Sequence, residues 1–318
     1  MPSTCTPIEL TCKDGVKLFG QRFVTESSST SSPANIQHRI LCWHGWLDNH
    51  RSFYRLAPIL VEQLEGGVDL VALDFPGHGK SSHKSLDGPT MLLMDYVYYV
   101  HDAIQQLQWQ HESITLIGHS MGSAVSFMYT AAFPVANLIM LDSLGPYPKP
   151  TSEVAKCLRK HINERIKGKN PCSVYPSLEV AIETRCGTAK AWGQYISKEA
   201  AKELVVGASK VLEEDGNKLQ FLHDQRLKWP SILYTSPEQV EEMYREVASN
   251  SITKTCLLLA DDGMPFDASK VARTKELLQP KVVTTLPGSH HFHMDPDTAK
   301  GVADAILTFL RHPPACCL

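Results

Sequence analysis

The stretch ITLIGHSMGSAVSFMY, beginning at Ile114, starts as a run of strand-forming residues and continues as a helical pattern. The change of period falls across Gly118, His119, Ser120, Met121 and Gly122. No other feature constrains the chain as much. A strand that passes into a helix within so few residues strains the backbone of the central serine. It also leaves no room for side chains two positions away, and glycine at 118 and 122 removes those clashes. Such a turn lifts the Ser120 hydroxyl out of the sheet and sets it at a helix N-terminus, where the dipole and the free N–H groups favour negative charge. This is a setting for a nucleophile.

The rest of the chain supplies the sheet that such a turn needs. Residues 8–24 read as a hairpin around Asp14–Gly15. The Ser-rich 25–35 reads as a flexible loop. Apolar runs at 39–43, 68–75, 113–118 and 137–142 then alternate with helical patterns near 50–64, 90–108 and 121–132. Continuous apolar strands separated by helices predict an α/β fold, with a mostly parallel sheet covered on both faces. From Pro146 the pattern changes. Residues 147–250 carry helical segments and no clear buried strand, and Val154, Leu158, Ile162 and Ile166 share one helix face at i+4 spacing opposite a basic face. Alternation resumes with strands at 255–260 and 281–287 and helices near 267–278 and 296–311. The expected organisation is a core of 1–146 and 251–318, with an insertion over 147–250.

Charge and composition exclude several classes. A formal net charge of −3 gives no electrostatic argument for nucleic acid. No apolar run approaches the roughly 20 residues of a membrane span; TMLLMDYVYYV comes nearest, and Asp95 breaks it. The N-terminus lacks the basic and apolar regions of a secretory signal. Nine cysteines, scattered and without a C-x-x-C pair, argue against a disulfide framework or structural zinc, and for reduced thiols in a cytoplasmic protein. The tail HPPACCL has Ala315 where a prenylation box needs cysteine, and it does not match the peroxisomal S-K-L; palmitoylation of Cys316 or Cys317 is the alternative to a frayed end. The basic face of Lys156, Arg159, Lys160, Arg165, Lys167 and Lys169 reads as a solvated surface, with peripheral docking to anionic lipid as the alternative.

A serine hydroxyl is a weak nucleophile and needs a base. LPGSHHFHMD, 286–295, offers three histidines, and His290 comes straight off the last strand. His291 and His293 are expected to pack or support; a metal set of His291, His293 and Asp295 has no complementary cluster elsewhere, so no metal is expected. The base in turn needs an acid. Asp142 ends the sixth strand, while Asp261 and Asp262 follow the seventh. Ala260 and Gly263 stand where a glycine and an acid would be expected after the seventh strand, which favours Asp142 and leaves Asp262 as the alternative. The oxyanion donors are expected to be the N–H groups of Met121 and of Trp46, the latter in CWHGWLDN beside Gly45. The Trp46 side chain lines the pocket or packs under the insertion, and His44 reads as structural. DFPGHGKSS, 74–82, has Asp74 where a phosphate loop needs glycine, and reads as the tight loop after the fourth strand.

The segments HGWLDNHRSFYRLAPIL, VALDFPGHGKSSH, LIGHSMGSAVSFMY, LDSLGP and GSHHFHMD resemble the α/β-hydrolase superfamily, and within it the serine hydrolase-like proteins. HDQRLKWPS, 223–231, resembles a short motif of that group. The resemblance implies an eight-stranded sheet, a helical cap or lid after strand six, and a Ser–acid–His triad that uses no cofactor. Some relatives place the acid after strand six, matching Asp142. Ser123 stands where relatives often have another glycine, with little effect expected. The activity so implied is hydrolysis of a small-molecule carboxylic ester. A ligand sensor with little turnover and an acyltransferase are the alternatives, and oligomeric state is open.

Overall fold

The computed structural model describes residues 3–25, 36–85, 88, 90–168, 172–213, 216 and 218–311. Its centre is an eight-stranded sheet. The strands are β1 (Ser3–Thr11), β2 (Lys17–Thr25), β3 (His38–Trp43), β4 (Val68–Leu73), β5 (Ile114–His119), β6 (Asn137–Leu141), β10 (Lys254–Asp262) and β11 (Val282–Ser289). Three further strands, β7 (Val174–Tyr175), β8 (Ser209–Leu212) and β9 (Lys218–Phe221), form a separate sheet. The main sheet has the order β1-β2-β4-β3-β5-β6-β10-β11. The β1–β2 and β2–β4 pairs are antiparallel and all others are parallel. The mostly parallel α/β-hydrolase sheet is as expected. The Ser-rich loop after Thr25, Lys169 and the Cys316–Cys317 tail lie outside the described residues.

Strand alternation divides the core in two. Leu41 and Trp43, Val71 and Leu73, and Leu138 and Met140 face one side. There they meet α2 (Asp95–Leu107), α3 (Met121–Ala132) and α7 (Pro237–Ser249). Ile40 and Cys42, Leu70 and Ala72, and Ile139 and Leu141 face the other, against α1 (Leu56–Gln63) and α9 (Ala299–Arg311). Each central strand therefore buries both faces, which is why β4 and β5 are buried at every position and mostly apolar, without the alternation of a half-exposed strand. The parallel strands all bring their C-terminal ends to one rim. Ligand crevices of open α/β sheets lie at such rims.

Between β6 and β10 the chain forms α4 (Val154–Ile166), β7, α5 (Leu178–Ala191), α6 (Lys198–Gly207), the β8–β9 hairpin and α7. Two features depart from the expected helical insertion over 147–250. The first is the small antiparallel sheet β7-β9-β8. Its strands are two to four residues long and mostly half-exposed, so they leave no apolar run to read. The second is α7, which starts with a capping box of Ser236 and Gln239 and packs on α3 and on α8 (Ala268–Leu278). Its Val240, Tyr244 and Val247 join the core cluster, so by packing this helix goes with the sheet. The remainder has an apolar cluster of its own, built on Ala181, Ile182, Ala200, Ala201, Leu204 and Val205.

Candidate active site

Ser120 sits where β5 becomes α3, with φ 51° and ψ −113°. Holding a non-glycine residue in so sparsely populated a conformation costs of order 1–3 kcal/mol. The neighbours enforce it. A Cβ on Gly118 would stand 2.4 Å from the Ser123 nitrogen, and one on Gly122 would stand 2.0 Å from the Trp43 carbonyl oxygen. The steric argument for the two glycines therefore holds in detail. The Ser120 N–H donates to the Leu141 carbonyl at 3.0 Å, which ties the turn to the end of β6.

Asp142 follows that strand end directly and is buried, with φ 47°. Three groups bond its carboxylate, and its backbone N–H makes a fourth bond to a neighbouring strand. The Ala260 N–H reaches Oδ1 at 3.1 Å and the Met264 N–H reaches Oδ2 at 2.8 Å. His290 Nδ1 lies 2.6 Å from Oδ2, and the Asp142 N–H donates to the Leu258 carbonyl at 2.8 Å. Residues 142 and 290, 148 positions apart, are thus brought into contact. Asp262, the alternative acid, is exposed. Asp261 accepts the Gly288 N–H at 2.8 Å and braces the strand leading to His290. A Cβ on Gly263 would lie 2.5 Å from both Asp142 oxygens. The room for a side chain after β10 is taken by the carboxylate arriving from β6.

His290 is held on three sides and open on the fourth. Its N–H donates to Gln194 Oε1 at 3.1 Å, while Gln194 Nε2 donates to the Gly263 carbonyl at 3.0 Å. Its carbonyl accepts from His119 Nε2 at 2.8 Å. Asp142 takes Nδ1, and Nε2 has no hydrogen-bond partner among the described residues. With Nδ1–H donated to a carboxylate, the neutral ring carries its lone pair on Nε2. Residue 119 both precedes the serine and holds the backbone of the histidine, so the two are moored to one point.

The loop after β3 lies against this turn. Leu47 there has φ 61°. Among the described residues, neither the Trp46 nor the Met121 N–H donates to a protein acceptor. The Trp46 indole N–H donates to the Leu227 carbonyl at 3.0 Å, so its side chain engages the segment between β6 and β10. His44 is structural: Nε2 accepts the Phe75 N–H at 3.0 Å, leaving Nδ1 to donate to the Gly45 carbonyl at 2.7 Å. In DFPGHGKSS, Asp74 takes the Lys80 N–H at 2.8 Å and the His50 ring at 2.8 Å, making a tight loop. Arg226 of HDQRLKWPS pairs with Asp224 and donates to the Ser85 and Lys84 carbonyls at 2.8 and 2.7 Å, docking its segment onto that loop.

Three supports were not legible in the sequence. Ser123, expected to matter little, donates its hydroxyl to the Gly118 carbonyl and accepts the Leu141 N–H at 3.1 Å. It pins together the strand ends that carry Ser120 and Asp142. The second support is Asp48, fully buried beneath His290. It meets His291 Nε2 at 3.1 Å and Arg185 at 3.0 Å, with His119 Nδ1 3.7 Å away. Burial would raise its carboxyl, but His291, Arg185 and His119 outweigh that and hold it well below the usual carboxylate range. Burial drives His119, His291 and His293 the other way for bases, well below the ordinary imidazole value for His119 and His293. The third support is Gln194, whose role depends on a loop crossing that no local pattern announces.

Asp48, His119 and His291 each offer a ligand atom, all within 4.8 Å of one another. The Arg185 guanidinium already bonds Asp48 and reaches His291 Nε2 at 3.3 Å, so a fixed cation occupies the edge of that cluster. Asp295 does not join His291 and His293 as a ligand set; its carboxylate accepts the Ser197 and Asp297 N–H groups at 3.1 and 3.3 Å.

This geometry has relatives. Residues 38–160 match the family model for the alpha/beta hydrolase fold. A serine hydrolase-like protein of Danio rerio is 32% identical over 280 residues, covering 86% of this chain and 81% of its own. Serine hydrolase-like protein 2 of Homo sapiens is 30% identical over 297 residues, covering 86% of each. A hypothetical protein of Pseudomonas aeruginosa PAO1 has a crystal structure that superposes with a TM-score of 0.80 at 30% identity, over 96% of this chain and 99% of that one. Sheet order, strained serine turn and similarity over most of the length agree, and the chain belongs to the α/β-hydrolase superfamily, among its serine hydrolase-like proteins.

Proposed function

We propose that this protein hydrolyses a carboxylic ester of a small or medium-sized acyl group, with Ser120 as nucleophile, His290 as base and Asp142 as the acid that orients it. Family membership supports a hydrolase; the ester and the triad are our reading. The observation that carries it is the 2.6 Å contact between His290 Nδ1 and Asp142, with the opposite ring nitrogen left without a partner among the described residues.

In the first step the Ser120 proton passes to His290 Nε2 as Oγ bonds to the ester carbonyl carbon. Asp142 keeps the proton on Nδ1 and balances the imidazolium. The unengaged N–H groups of Trp46 and Met121 would receive the oxyanion, aided by the N-terminus of α3. Collapse breaks the carbon–oxygen bond to the leaving alcohol, which takes the proton from Nε2. Water then repeats the sequence on the acyl-enzyme, returning acid and free serine. No cofactor enters any step.

The test is turnover of p-nitrophenyl butyrate together with labelling by a fluorophosphonate. Wild type should turn over steadily and take the label at Ser120, and S120A should lose roughly 10⁶-fold in kcat. Turnover by S120A at the wild-type rate would overturn the assignment. A single stoichiometric burst without steady turnover would point instead to a sensor.

A further inference from the structure

The four apolar residues of α4 do not face the protein. Val154, Leu158, Ile162 and Ile166 are 52%, 41%, 44% and 78% exposed, while the one buried residue of the helix is His161. The His161 ring lies edge-on to Trp229, and Nδ1 bonds the Pro230 carbonyl at 2.8 Å. The helix is therefore moored by a polar residue with its apolar stripe outward, the reverse of a surface helix that covers a core. At about 100° per residue the stripe spans an arc of about 120°, with the moored side on one flank. Lys156, Arg159, Lys160 and Lys167 fill the other flank.

Charge indicates what covers the stripe. From 154 to 168 the chain has five cations, Arg165 being the fifth, against the single carboxylate of Glu164, in a protein of net charge −3. Glu164 pairs with Lys167. Among the described residues, Lys156, Arg159, Lys160 and Arg165 have no carboxylate partner. An exposed apolar arc edged by Lys156, Arg159 and Lys160, with Arg165 between Val154 and Leu158 around the helix and able to reach outward along its stem, fits the boundary between acyl chains and anionic headgroups, with the helix lying in the membrane plane. A second copy of this chain would bring the same cations against themselves. No helix of the described residues is long and apolar enough to cross a membrane, so the contact is peripheral.

We propose that α4 docks this protein onto anionic phospholipid bilayers, with Val154, Leu158, Ile162 and Ile166 entering the acyl boundary and the basic flank meeting headgroups. This revises the sequence expectation of a merely solvated face. The docked helix hangs on residues 229–230, two positions past the Leu227 carbonyl that holds the Trp46 indole, so docking sets the bilayer close to the candidate active site. The inference does not depend on the proposed reaction.

Co-sedimentation of the full chain with vesicles tests it. At about 0.1 M salt, where the screening length is about 10 Å, vesicles with about 30 mol% phosphatidylserine should bind at least tenfold more protein than pure phosphatidylcholine. L158E/I162E should reduce that binding at least tenfold, and K156E/R159E/K160E should do so with the apolar stripe intact. Both variants alter exposed side chains, and each should keep the wild-type circular dichroism and the wild-type rate on soluble p-nitrophenyl butyrate. Absence of phosphatidylserine-dependent binding overturns the proposal, as does binding unchanged in L158E/I162E. So does a concentration-dependent dimer, seen by light scattering, that L158E/I162E dissolves.

Discussion

His290 and His291 are consecutive, each pairs with a buried aspartate, and their rings lie 5.2 Å apart at 82° to one another. Yet the two pairs do opposite things. His290 meets Asp142 through Nδ1 and keeps Nε2 free, whereas His291 meets Asp48 through Nε2, shares that atom with Arg185 and buries Nδ1 without a partner. One ring keeps a nitrogen without a hydrogen-bond partner among the described residues. The other is locked between a carboxylate and a guanidinium. An Asp–His contact is thus not in itself a catalytic signature; the nitrogen left over decides what the pair can do.

Breaking each pair should separate the two roles. D142N should keep the fold and drop kcat on p-nitrophenyl butyrate about 10⁴-fold, because an amide no longer fixes the reactive tautomer. D262N should stay within about twofold, its carboxylate being exposed; equal losses in the two variants would refute the acid assignment.

D48A should act on stability instead. It leaves the half-buried Arg185 without its carboxylate and the buried His291 without its acceptor, which costs about 1–3 kcal/mol, read as a lower urea midpoint. The wild-type Asp48 contribution is present above the unfolded carboxyl value of about 3.9 and is lost only as pH falls below it toward the depressed folded value.

S123A should cost less, about 1 kcal/mol, by removing the hydroxyl that bonds both the Gly118 carbonyl and the Leu141 N–H. Because that hydroxyl joins the strand ends carrying Ser120 and Asp142, kcat should fall with KM little changed.

The last prediction concerns the buried imidazoles. His119, His291 and His293 titrate below their ordinary value when folded, so below pH about 6.5 the unfolded chain takes up protons that the folded chain does not. Stability is therefore fullest above pH 7 and falls toward pH 5, by up to about 1.4 kcal/mol per pH unit for each such group. Among the described residues neither nitrogen of His293 has a partner, and its ring packs on His119 and Phe53. H293L should be neutral or stabilising at pH 7 and should flatten the slope; a large destabilisation at pH 7 would mean that a polar atom at 293 is needed.

The serine turn was legible because its requirement is local. Only glycines fit at 118 and 122, and the change from strand to helix period brackets them. His290 could be read from its place just past the last strand. The choice between Asp142 and Asp262 could only be weighed, because β6 and β10 are neighbours in the sheet and both end at the same rim. The clash of any side chain at 263 with the Asp142 carboxylate is a contact across 121 residues of chain. Asp48 was missed for the same reason: its partners at 119, 185 and 291 come from three distant elements.

By itself the sequence determined the strand and helix periods and the strained serine turn, since these rest on sterics and apolar patterning within a few residues. Tertiary structure alone decided which carboxylate meets which imidazole nitrogen. It also decided that the apolar stripe of α4 faces outward. Periodicity places residues on one face of a helix, but only packing determines which way that face is turned.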